Sequence, residues 1–115
     1  MRASTREEAV ETLVSRMSQL GHLPKEAVPE VVAAAMHREE LGSTAIGRGF
    51  AVPHAEHPSV VGVIGNIGYV RPGIDFNSLD GEPVRTILLL LSPPNQPGDR
   101  LRALERISRV LRVTG

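Results

Sequence analysis

Cysteine is absent, which excludes a disulfide scaffold, a thiolate metal site and a cysteine nucleophile. A reducing compartment is compatible with that absence but not required by it. Tryptophan is missing too, and the aromatics are only Phe50, Tyr69 and Phe76, so no platform exists on which single-stranded bases would stack. Leu, Val, Ile and Ala must fill the interior. Excess charge is lacking as well: 13 Lys and Arg balance 13 Asp and Glu, without the basic bias of proteins that neutralise many phosphates of a polymer. Any anion site is therefore local, and no nucleic-acid partner is expected. No apolar run reaches bilayer length, and Met1 to Glu8 lacks the apolar core of a signal peptide. The expectation is a cytoplasmic protein with no direct membrane insertion.

The 115 residues suit one domain with a real core. Thr5 and Glu8 have capping-box spacing, and Ala9, Val10, Leu13, Val14, Met17 and Leu20 follow at three- and four-residue intervals, predicting a helix that Gly21 stops. Pro29 suits the first turn of a second helix, which runs through Val31, Val32, Ala35 and Met36 to about Glu40 and ends at Gly42. Phe50 to Val52 reads as a short buried strand that Pro53 ends, placing His54 just past it. Val60 to Val70 carries Gly62, Gly65 and Gly68 and predicts a strand closely approached by other backbone or by a helix. Asp80-Gly81 is a turn signal, and Val84 to Leu91 is an apolar run expected at the centre of a sheet. After the proline-rich loop from Ser92 to Gly98, Asp99 caps a last helix whose apolar face is Leu101, Leu104, Ile107, Val110 and Leu111. Helix, helix, strands, helix, without internal repeat, implies a compact single α/β domain.

One histidine stands out. The stretch Gly42-Ser43-Thr44-Ala45-Ile46-Gly47-Arg48-Gly49-Phe50-Ala51-Val52-Pro53-His54 fixes it after a glycine-punctuated turn, where loops carry chemistry on a rigid scaffold. Neutral imidazole is nucleophilic near pH 7. His22 follows a helix stop, and His37 sits beside Arg38 near a helix C-terminus, where a cation suits the dipole; both read as structural or solvated. His54-Ala55-Glu56-His57 invites a metal reading, but without cysteine or a second ligand cluster no metal or other cofactor is implied.

Arg38-Glu39, then Gly42 to Gly47, then Ala51-Val52-Pro53-His54 together resemble the enzyme IIA domain of the fructose, mannitol and nitrogen-regulatory branch of the bacterial phosphotransferase system. Gly73-Ile74-Asp75-Phe76, Asp80-Gly81-Glu82-Pro83-Val84 and the loop before Leu101-Arg102-Ala103-Leu104 fit in order and spacing, so the similarity covers nearly all of residues 1–115. It implies the mannitol-type enzyme IIA fold, a single layered α/β domain with a mixed β-sheet flanked by helices, and a phosphohistidine carrier. His54 would accept a phosphoryl group from a histidine phosphocarrier protein and pass it to an enzyme IIB or signal to a regulatory partner, with a leaning towards regulation. Arg38 would contact the phosphoryl oxygens bidentately, with Ser43 and Thr44 as hydroxyl donors. Where the family usually has a second histidine, before the leucine that is Leu101, this chain has Arg100, which would add a permanent charge at a helix N-terminus and either hold the phosphoryl group on His54 more firmly or pair with Asp99 and face solvent. The sequence ends at Gly115, before the family's usual C-terminal helix: either the molecule is truncated or something else covers the apolar surface, a homo-oligomer contact being one way. The alternative reading is a protein-binding module of the same fold that has lost phosphotransfer.

Overall fold

In the computed structural model, residues 1–78, 80–94, 98, 101–102 and 105–106 are described. Helix α1 spans Arg6–Gln19 and begins as its sequence dictates: the Thr5 side chain accepts from the Glu8 amide, and the Glu8 carboxylate accepts from the Thr5 amide. It ends in a Schellman motif. The His22 amide reaches the Met17 carbonyl at 2.9 Å and the Gly21 amide reaches Ser18 at 3.0 Å, with Gly21 at φ 86°, a conformation natural to glycine. A 3₁₀ turn at Lys25–Ala27 leads into α2, Val28–Leu41, with Pro29 in its first turn. Ala9, Val10, Leu13, Val14 and Met17 of α1 pack with Val31 and Ala35 of α2 and with the sheet as one core.

The sheet has five strands: β1 Ala45–Gly47, β2 Phe50–Ala51, β3 His54–Glu56, β4 Ile64–Ile74 and β5 Val84–Ser92. β5 is central, as its apolar run predicts. β4 lies antiparallel along one side of it, while β2 and β3 lie parallel to it on the other, and β1 pairs antiparallel with β2 at the edge. Parallel and antiparallel pairs together make the mixed sheet expected. Ile87, Leu89 and Leu91 are fully buried, and α1 packs on β4 and β5 while α2 packs on β3.

Two expectations about strands need correction. Pro53 interrupts the strand but does not end it, since Phe50 pairs with Thr86 and His54 with Leu90 in one unbroken register. The reason is directional: proline lacks a donor, but the Pro53 carbonyl still accepts the Leu90 amide at 3.0 Å. His54 is therefore the first residue of β3 rather than a loop residue. β4 is also shifted along the chain from Val60–Val70, because the Val60 amide closes a turn onto the His57 carbonyl and Gly62 has φ 73°. At its far end β4 continues to Ile74 through an irregular register after Tyr69. Gly68 does admit a helix, for a Cβ there would lie 3.0 Å from Leu13 Cδ2.

Asp99, Arg100, Leu104 and Ile107 to Leu111 of the expected last helix lie outside the described residues; Leu101, Arg102, Glu105 and Arg106 have helical backbone. No helix among the described residues is long and apolar enough to cross a membrane.

Ile87 is wholly buried on the central strand between Ala51 and Gly68. Ile87→Ala should cost about 2–5 kcal/mol, read as a lower urea midpoint at unchanged slope; a loss below about 1 kcal/mol would show that β5 is not the packing centre.

Candidate functional site

The site is built on the junction between the end of α2 and the interrupted strand. Glu39 occupies the same helical stripe as Val31 and Ala35 and is 2% exposed. A carboxylate near a helix C-terminus opposes the dipole, so its burial requires compensation. The compensation comes from Thr44: its amide donates to Glu39 Oε2 at 3.2 Å and its hydroxyl donates to Oε1, while Arg6 Nη1 stands 4.0 Å from Oε2. This folds the α2–β1 connection back onto the helix. Ser43 is fixed similarly, with its hydroxyl donating to the Phe76 carbonyl and accepting from the Ala45 amide at 3.1 Å.

The connection is then tied to the strand that carries the histidine. The Thr44 carbonyl accepts the Val52 amide at 3.2 Å, and the Val52 carbonyl lies 3.2 Å from His54 Nδ1. A carbonyl oxygen only accepts, so Nδ1 carries the proton and, in the neutral ring, Nε2 holds the lone pair. His54 is half-buried between Pro53 and Ala55, both buried.

Arg38, half-buried on the last turn of α2, donates through Nη1 to the Gly42 carbonyl at 2.7 Å. It makes no ion pair among the described residues, so most of its five N–H donors are not spent on a carboxylate. Arg38, Ser43, Thr44 and His54 are thus gathered onto one hydrogen-bonded unit, whereas Arg100 lies outside the described residues. Ser43 and Thr44 direct their hydroxyl protons inward, to Phe76 and Glu39.

The β1–β2 turn is held from the other side by Asp80. Its carboxylate accepts from the Ser78 hydroxyl at 2.6 Å, the Glu82 amide at 3.0 Å and the Arg48 amide at 3.1 Å, and Arg48 adopts a left-handed φ of 56° there. The Ser78 hydroxyl first, and then these amides, hold the Asp80 carboxyl below the usual aspartate range.

Of the other histidines, His22 and His37 are exposed. His57 is engaged away from His54: Nδ1 accepts from the Ser59 amide at 3.1 Å, and Nε2 meets Glu30 Oε2 at 2.6 Å. No group of three or more His, Asp or Glu side chains converges as a metal site among the described residues.

A model of the family described as phosphoenolpyruvate-dependent sugar phosphotransferase system, EIIA 2, matches residues 1–114. The chain belongs to this EIIA family. It is 37% identical over 112 residues to a nitrogen regulatory protein of Bradyrhizobium diazoefficiens, covering 97% of this chain and 71% of that one. Among solved structures, the nitrogen regulatory protein IIA-Ntr of Neisseria meningitidis superposes with TM-score 0.80 at 30% identity, over 92% of this chain and 70% of that one. IIA mannitol of Escherichia coli, solved in complex with phosphorylated enzyme IIB mannitol, has TM-score 0.77 at 21% identity over 96% and 74% of the two chains, a likeness of fold. The EIIA resemblance read from Arg38 to His54 is thereby established, with the fold it implied.

The sequence reading did not identify the clamping role of Glu39, although its position four residues after Ala35 on a buried stripe was a usable signal. The ring acceptor on Val52 and two of the three donors to Asp80 are backbone groups and leave no such trace.

Two predictions follow from this geometry. Glu39→Ala leaves the Thr44 amide and hydroxyl buried without their acceptor and should cost about 1–3 kcal/mol in denaturant unfolding; an unchanged midpoint would contradict the clamp. For Asp80, a lowered folded-state pKa means its contribution is present above the unfolded pKa and lost as pH falls through the folded one. Side-chain NMR should show Asp80 titrating below an unstructured aspartate, and Ser78→Ala should move it upward; no movement would refute the hydroxyl's role.

Proposed function

We propose that this EIIA chain is a phosphocarrier in which His54 accepts a phosphoryl group through Nε2, and that its role leans towards regulation. The observation that carries the reading is the Nδ1 contact with the Val52 carbonyl, which selects the tautomer with its lone pair on Nε2. That lone pair attacks the phosphorus of a donor phosphohistidine. The donor's N–P bond breaks, and its electron pair returns to the donor ring nitrogen. The His54 ring then bears positive charge, and its Nδ1 proton stays hydrogen-bonded to Val52, so no proton needs to leave during transfer. Arg38 stabilises charge on the phosphoryl oxygens, and Arg100, standing where the family usually has a second histidine, would add a permanent positive charge to the same task; transfer of this kind depends on positioning and charge. Ser43 and Thr44 hold the connection beside the site through their inward hydrogen bonds.

The donor is a histidine phosphocarrier protein, and the recipient an enzyme IIB or a regulated protein. The E. coli mannitol complex with phosphorylated enzyme IIB supports the IIB option through shared fold, and the Bradyrhizobium and Neisseria nitrogen regulatory relatives support the regulatory one. Such partners belong to the cytoplasm.

Incubation with a phosphocarrier system and labelled phosphoenolpyruvate tests this. Acid-labile label should appear in the wild type and vanish in His54→Ala, and Arg38→Ala should slow labelling roughly 100-fold. No label with a competent donor would instead favour the binding-only alternative.

A further inference from the structure

Helix α2 does not bury all of its apolar surface. Val31 and Ala35 face the interior at zero exposure, and beside them Val28, Val32 and Met36 pack against the core while staying partly exposed, with Ala33 exposed next to them. These four residues floor a groove of about 390 Å³ between α2 and α1. From Val28 to Met36 the stripe runs about 12 Å, a little over two helical turns.

The rim on the α1 side carries two carboxylates, Glu7 and Glu11, one turn apart. Both are exposed, and neither takes part in a hydrogen bond or ion pair among the described residues. Glu7 lies in the first turn of α1, where the dipole favours it. Glu11 has no such compensation and repels Glu7 across the turn. An apolar floor flanked by unpaired negative charge selects a ligand with apolar anchors and adjoining cations.

We propose that the α1–α2 groove docks a basic amphipathic helix of a partner protein. Apolar side chains at i, i+4 and i+7 of that helix fit a stripe of this length, and a third helix laid along two others meets the ridges and grooves they already present. Lys or Arg on one flank would face Glu7 and Glu11. The same carboxylates exclude acidic segments and anionic membrane surfaces. Met36 supplies an adaptable contact and lies one turn before Glu39, so an occupied groove adjoins the clamp that holds the Thr44 connection.

The test uses the intact chain and a synthetic helical peptide of roughly 14 residues, leucines at helical spacing and lysines along one flank, against a control with glutamates replacing the lysines. The lysine peptide should bind saturably by fluorescence anisotropy, with amide shifts centred on Val28, Val32 and Ala33. Glu7→Gln with Glu11→Gln should weaken binding about fivefold, Ala33→Arg should abolish it, and His54→Ala should leave it unchanged. All three positions altered in the groove are exposed, and the amide spectrum of each variant reports its fold. Equal binding of the glutamate peptide, an unchanged affinity in the double glutamine variant, shifts centred elsewhere, or no binding of the lysine peptide would overturn the proposal. Because His54→Ala is an arm of the experiment, failure here is separable from failure of phosphotransfer.

Discussion

The register that β5 imposes on residues 50 to 56 is the constraint on which the site depends. Phe50 and Ala51 pair with Thr86 and Ile87, and His54 to Glu56 pair with Leu90 to Ser92. Between them the Pro53 carbonyl keeps the ladder with the Leu90 amide while proline offers no donor. The strand therefore runs straight past its interruption, and the neighbouring Val52 carbonyl points away from β5 to meet the His54 ring. A phosphoryl acceptor of the kind proposed for His54 needs a fixed tautomer and a fixed position, and one backbone arrangement supplies both.

Around this strand the connection from α2 is fastened by groups that are themselves buried. Glu39 closes on Thr44, Thr44 on Val52, and Val52 on His54, so the end of the helix and the histidine form one mechanical unit. Buried carboxylates are stable only when fully hydrogen-bonded, which makes this unit sensitive to a single change. Arg38 joins it at the outer end by donating to the Gly42 carbonyl. Asp80 fixes the opposite turn, so the histidine strand is held from both directions.

Much of this was legible in the residues themselves. The α1 limits followed from Thr5, Glu8 and Gly21, because caps are local and their chemistry is written in adjacent side chains. β5 was legible from an unbroken apolar run, and the family from the Arg38 to His54 block. The shift of β4 was not, because Val60 has strand character and only the tertiary turn onto His57 removes it from the sheet. Nor was the continuation past Pro53, since sequence shows the missing donor but not the acceptor that still pairs. Ser43 and Thr44 are hydroxyl residues in a family motif, and only the fold shows their protons turned to Phe76 and Glu39.

If the backbone contact at Nδ1 directs phosphoryl transfer to Nε2 as proposed, long-range nitrogen NMR of the His54 ring will report it. The neutral ring should show a protonated Nδ1 and an unprotonated Nε2, and after incubation with a phosphorylated donor the phosphorus coupling should appear at Nε2. A neutral ring protonated at Nε2, or a phosphoryl group on Nδ1, would show that the Val52 contact does not direct the chemistry.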